Sequence, residues 1–189
     1  MTRLDVNSEI AKVINDSPVT IFIWKPENGW PVEFVSENVR QFGYSSEDFL
    51  SGRLKYEDII HPADIERVRR EVAEYSEANV DNFSQEYRIL TASGEIRCID
   101  DRTIVRRNEN GNIQYYEGII LDISQRKLSE IIIDCRNQVL EALASGETLN
   151  EILTRLVKST KKIIPEAISF VMLLDEEKKH LVHAISPHL

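Results

Sequence analysis

The chain has 189 residues, 23 Lys+Arg against 32 Asp+Glu for a formal charge of −9, and 42% hydrophobic and 29% charged residues, proportions of a folded globular chain. The acidic balance argues against nucleic-acid binding, which needs clustered positive charge, and the basic groups Arg102 with Arg106-Arg107 and Lys158 with Lys161-Lys162 are small and diluted by acids. No apolar run approaches the roughly 18 residues of a spanning helix, Met1-Thr2-Arg3-Leu4-Asp5 does not open a secretory leader, and Cys98 and Cys135 form no metal-type pair, so the expectation is a cytoplasmic chain without membrane insertion.

Along the chain the hydrophobic period changes several times. Ile10, Val13 and Ile14 share a helical face over residues 8–15, with Asn7 or Ser8 available as cap and Pro18 as stop. Val19 to Lys25 and Val32 to Val35 are β-branched and aromatic runs, and Asn28-Gly29 between them predicts a tight hairpin. Ser36 can cap a short helix over Glu37–Phe42 closed by Gly43, and Ser45 to Asp48 has the form of a capping box. A longer helix starts at Pro62, with Ile65, Val68, Val72 and Tyr75 on one stripe.

From Phe83 the period returns to two, with Phe83, Gln85, Tyr87 and Ile89 on one face. Turns at Ser93-Gly94 and Asn110-Gly111 lead into Ile96–Val105 and Ile113–Ile123, giving three consecutive antiparallel strands. The order packs best as an α+β fold: a five-stranded antiparallel sheet with helices on one face, enclosing an apolar interior that can hold a small molecule. Residues expected to face that interior are Phe22, Trp24, Phe42, Ile60, Val68, Tyr87, Cys98, Tyr116 and Ile120, each of which plain core packing would also explain.

After Ser124 the chain turns helical. Leu128, Ile132, Cys135, Val139 and Ala142 follow alternating four- and three-residue steps, the seam of a coiled coil, although Ile131, Ile133, Leu140 and Leu143 widen the apolar surface as an ordinary amphipathic helix would. Ser145-Gly146 breaks that helix, a further helix runs from Leu149 to near Pro165, and Ile168–Leu174 and Leu181–Ile185 read as two strands across Asp175-Glu176-Glu177.

Six ordered segments, Val32 to Val39, Phe42-Gly43-Tyr44-Ser45, Ile60-His61-Pro62-Ala63-Asp64, Glu86 to Ile89, Gly94 to Arg97 and Gly118 to Lys127, resemble the PAS sensory family in the branch with a His-Pro-x-Asp segment, over about residues 8 to 127. Cys98 stands where that branch often carries Trp, and the closing Asp-Ile-Thr appears as Asp122-Ile123-Ser124, whose serine keeps a hydroxyl able to cap the next helix. Gly146 to Leu153, Ser169 to Asp175 and His183 to Pro187 are similar to the beginning of a GAF domain. The resemblances imply a PAS domain over 1–124, a helical connector over 125–145 and a partial α/β GAF-like segment over 146–189, from a sensor histidine kinase or similar signalling protein.

They also imply a homodimer, a possible small-molecule ligand and a downstream signalling domain, with Asp122 and Ser124 relaying change from sheet to connector. No phosphoacceptor box, ATP-lid glycines, catalytic triad or paired-carboxylate site is visible, so the chain is expected not to be an enzyme. His61 reads as a helix-leading residue without a ligand partner, and His180 and His183 cannot share a metal across a strand. The absence of an Asn-Cys-Arg-Phe motif and of Cys-x-x-Cys-His argues against flavin and covalent haem, leaving the cofactor unknown. The competing expectation is a ligand-free PAS scaffold that only brings two chains together.

Overall fold

The computed structural model describes residues 6–163, 169–175, 177 and 180–185, and the chain divides into two compact units between Ser124 and Gln125. The first unit opens with helix α1 (Val6–Asn15), which already contains Asn7 and Ser8, so neither is its cap. Strands β1 (Val19–Trp24) and β2 (Val32–Val35) pair antiparallel. The left-handed residues of the loop between them are Gly29 and Trp30, not Asn28 and Gly29. Asn-Gly therefore does not close a two-residue hairpin here; it sits inside a longer loop.

A 3₁₀ turn over Glu37–Phe42 follows, closed by Gly43 at φ 82°, the left-handed stop that a residue without Cβ makes cheaply. Ser36 does not cap it. Its hydroxyl accepts the N–H of Ile21 at 2.9 Å and donates to Asn38, so it ties the turn to β1 instead. Helix α2 (Ser46–Leu50) has the capping box its sequence promises, with Asp48 Oδ2 accepting the Ser45 N–H at 2.8 Å.

A second 3₁₀ turn over Tyr56–Ile59 precedes helix α3 (Pro62–Glu77). His61 caps α3, its Nδ1 accepting the Ala63 N–H at 3.2 Å. Asp64 holds β3 (Asn82–Leu90) through Arg88: its carboxylate accepts from Nε and Nη2 at 2.9 and 2.7 Å and from the Arg88 backbone N–H at 2.9 Å. The Arg88 guanidinium keeps the Asp64 carboxyl below the usual range. The His-Pro-x-Asp segment is thus a clasp between α3 and the sheet.

Strands β4 (Ile96–Arg107) and β5 (Ile113–Asp122) complete a five-stranded antiparallel sheet in the order β2-β1-β5-β4-β3. The last strand is central, between the first strand and β4, and the short helices with α3 form an α+β arrangement over the core. Phe22, Trp24, Phe49 and Tyr56 interlock there, with Phe22 stacked on Trp24 at 5.5 Å and Tyr56 edge-on to Trp24 at 4.8 Å.

Gly118 of β5 lies under the Trp24 ring, and a Cβ added there would fall within its six-membered edge. Only a residue without a side chain lets that indole lie flat on the sheet.

In the second unit, helix α4 (Ser124–Ala144) is followed by helix α5 (Leu149–Ile163) and an antiparallel pair, β6 (Val171–Leu174) and β7 (Leu181–Ile185). Gly146, at φ 71°, ends α4. Pro165, Ile168, Glu176, Ser186 and Pro187, on which parts of the expected helix end, strand start, turn and GAF-like segment rest, lie outside the described residues. No helix among the described residues is long and apolar enough to cross a membrane.

Replacing Gly118 by Ala forces Trp24 off the sheet or β5 away from it. Gly118→Ala is expected to lower unfolding free energy by about 1–3 kcal/mol, the usual cost of overpacking, and urea denaturation followed by Trp fluorescence should show both the loss and an altered native spectrum.

Candidate functional site

The alternation of β3, β4 and β5 sends a mixed set of side chains inward. Pairing of Gln85 with Asp101, Tyr87 with Ile99 and Phe83 with Thr103 puts Gln85, Tyr87, Asp101 and Thr103 on the covered face, beside Tyr116, Gly118 and Ile120. Between them and α3 lies a cavity of about 20 Å³, room for about one water. Six aromatic residues line it: Trp24, Trp30, Tyr56, Phe83, Tyr87 and Tyr116.

At its polar end Tyr87 donates to Asp101 Oδ2 at 2.7 Å and Thr103 donates to Asp101 Oδ1 at 2.8 Å. The Tyr87 proton is committed to the carboxylate, so at the 2.9 Å contact between the two phenols Tyr56 is the donor while Asp101 is ionised. The chain Tyr56 to Tyr87 to Asp101 has a direction, and protonating Asp101 would allow it to reverse.

Asp101 is 5% exposed, and among the described residues no cation reaches ion-pair distance of it. Burial pushes its carboxyl up to about 6, against the hydroxyl bonds from Tyr87 and Thr103, which pull it down. Burial, with the Asp101 charge behind it, also drives the Tyr56 and Tyr87 phenols well above their ordinary value.

Two further polar atoms at the cavity wall are buried without a partner among the described residues, Trp24 Nε1 and Gln85 Oε1. The Gln85 amide is oriented by donating to Glu71 Oε2 at 2.7 Å, which leaves its oxygen unused. A wider cleft of about 350 Å³ shares Trp30, Val72 and Tyr116 with the cavity and is walled by the β1–β2 loop and α3.

Of the residues read from sequence as facing the interior, Trp24, Ile60, Val68, Tyr87 and Tyr116 line this cavity. Phe22, Phe42 and Ile120 are buried in the core without lining it. Cys98 sits elsewhere: it pairs with Arg88, one residue out of step with inward-facing Ile99, and lies half-buried on the other face of the sheet.

Trp30, Tyr56, Val72, Phe83, Gln85, Asp101 and Thr103 also line the cavity, although they are not among the residues expected from sequence to face the interior. Gln85 and Phe83 share the period-two face of Tyr87, and that was the available signal. Trp30 and Tyr56 come from a loop and a 3₁₀ turn, where no period exists to point them inward.

At the exit of the sheet the Cys98 backbone does the fastening. Its N–H donates to Ser124 Oγ at 2.9 Å and its carbonyl accepts the Ile123 N–H at 2.8 Å. The Ser124 hydroxyl therefore serves β4 and does not cap α4. Asp122 takes the capping part, accepting the Ser124 N–H at 2.8 Å, while its other oxygen lies 3.6 Å from Arg97.

Of the five seam positions, Leu128, Cys135 and Val139 are half-buried, Ile132 is 53% exposed and Ala142 is already buried within the chain. Ile133, Leu140 and Leu143 are exposed as well.

The unfolded Asp101 carboxyl titrates near the ordinary 3.8 and the folded one at about 6, so the folded chain binds the extra proton between those values. Stability is then greatest below the lower value and falls as pH rises through the upper one. Asp101→Asn removes that dependence. Its stability relative to the parent should rise by ~1 kcal/mol between pH 5 and pH 8 in urea melts; parallel curves would mean an ordinary Asp101.

Residues 32–120 match the family model of the PAS fold. The chain is 50% identical over 186 residues, 98% of its length, to the methyl sulfide methyltransferase-associated sensor of Methanosarcina acetivorans, and spans 19% of that relative. The PAS domain of a protein from Colwellia psychrerythraea superposes with a TM-score of 0.53 at 22% identity, over 63% of this chain and 98% of that one. A sensory box histidine kinase/response regulator from Burkholderia thailandensis superposes with a TM-score of 0.55 at 24% identity, over 70% and 98%. The unit ending at Ser124 is a domain of PAS fold, in a chain homologous to part of a sensor protein.

Proposed function

We propose that this chain is a sensory input module, in which the cavity above β3, β4 and β5 receives a small molecule and β5 passes the change to α4. The observation that carries this reading is a buried polar end, Asp101 with Tyr87 and Thr103, in an otherwise apolar cavity that also leaves Gln85 Oε1 without a partner. Core polar atoms without partners cost free energy, and a ligand that bonds them offsets it. The homologous sensor supports a signalling role.

In this reading Asp122 and Ser124 are the relay, because they join the end of the central strand to both β4 and the first turn of α4. Exposed Ile132, Ile133, Leu140 and Leu143 on α4 favour pairing with a second copy, Ala142 being occupied within the chain. Residues 146–189 are the opening of a GAF-like domain, the module works in the cytoplasm without enzymatic activity of its own, and its output domain lies outside these residues. The small size of the cavity favours a second reading, a scaffold whose core is filled by its own side chains.

Native mass spectrometry of gently purified protein separates the two. The sensory reading expects a dimer with copurified small molecule, whereas a dimer without added mass favours the scaffold and a bare monomer sinks both. Asp122→Ala is expected to leave the melting temperature of the PAS unit within a few degrees of the parent while shifting hydrogen exchange in α4; loss of the whole fold would make Asp122 merely structural.

A further inference from the structure

Resting on the sensory reading, the cavity's own chemistry narrows the class of ligand. A carboxylate buried among apolar residues normally has a cation beside it, because hydroxyl donors return only part of the lost hydration. Asp101 has two hydroxyl donors and, among the described residues, no cation.

Six aromatic residues line the cavity that Asp101 closes, and aromatic ring faces carry negative potential that attracts ammonium-type cations within about 6 Å. Gln85 Oε1, on a residue 4% exposed, adds an acceptor that no group among the described residues uses. Carboxylate, aromatic lining and a carbonyl oxygen without a partner among the described residues favour a donor with positive charge. The indole N–H of Trp24 is a donor and gains no bond from a cation.

Size and surroundings agree. About 20 Å³ admits one ammonium head and no bulky group. The adjoining cleft of about 350 Å³ has space for a chain attached to that head, and its charged walls are Glu27, Glu57 and Glu77 against the single guanidinium of Arg69. Arg69 is itself paired with Glu57 at 2.8 Å.

We propose that the cavity is a site for a small alkylammonium cation, its ammonium head between the aromatic rings and against Asp101, its alkyl chain lying in the acidic cleft. Asp101 is the counter-ion and Gln85 a second acceptor. Binding would complete the polar end of the core beneath β4 and β5.

The chain's only two tryptophans, Trp24 and Trp30, both line the cavity, so intrinsic fluorescence reports its occupancy directly. The 189-residue chain is titrated with n-butylammonium chloride and, separately, with 1-butanol, which matches its length without the charge. The proposal expects a saturable fluorescence change with butylammonium, at least tenfold weaker binding of butanol, and at least tenfold weaker butylammonium binding by Asp101→Asn.

The butanol comparison uses the unaltered chain and holds even should the variant fold poorly. Equal binding of the two compounds overturns the cationic assignment while leaving a ligand site of neutral preference. No change with either overturns it too, and the sensory reading then stands or falls on the copurified mass alone.

Discussion

The structure turns on a carboxylate kept inside an apolar core. Asp101, on β4, sits between β3 and β5, and its hydrogen-bond partners among the described residues are the hydroxyls of Tyr87 and Thr103. The arrangement costs stability at neutral pH, since burial holds the carboxyl at about 6 against the two hydroxyl bonds. A core of Leu and Val would pack as well without that cost, which is why a buried polar cluster of this kind points to a site rather than to folding. Its neighbours are adapted to it: Gly118 admits the indole above, and Tyr56 extends the hydrogen-bonded chain from Tyr87.

Two sets of bonds fix the frame around this cluster. On one side Asp64 clamps Arg88 by side chain and backbone together, so α3 cannot drift from β3 and the helical wall of the cavity stays in place. On the other, the backbone N–H and carbonyl of Cys98 bond Ser124 and Ile123. The resemblance to the His-Pro-x-Asp branch leads to an expectation of Trp at this position; the bonds to Ile123 and Ser124 use only main-chain groups of Cys98, and its side chain faces the other side of the sheet. Asp101 pairs with Ile120 on β5, the central strand, which ends in Asp122.

Much of the fold was legible in the sequence because its signals are local. Alternation from Phe83 onward, the capping box at Ser45, Pro62 at the first helical position and Gly43 at a stop all depend on neighbours a few residues away, and each element stands where those residues put it. Ser36 and Ser124 misled for the opposite reason. Each precedes or opens a helical turn as a cap would, yet its hydroxyl is taken by a strand far away in sequence.

The candidate site was less visible. Asp100 and Asp101 are adjacent, so composition marks the stretch as polar and cannot say which carboxylate points inward; the register with Gln85 and Ile120 decides it. Asp100 pairs with Arg102 instead. The role proposed for the cavity depends on Asp101 being a buried carboxylate with no cation at ion-pair distance among the described residues, and ¹³C NMR of aspartate side-chain carboxyls across pH 3 to 8, assigned through Asp101→Asn, tests it directly. The account predicts a resonance with its midpoint at about 6; a midpoint near the ordinary 3.8 would contradict it.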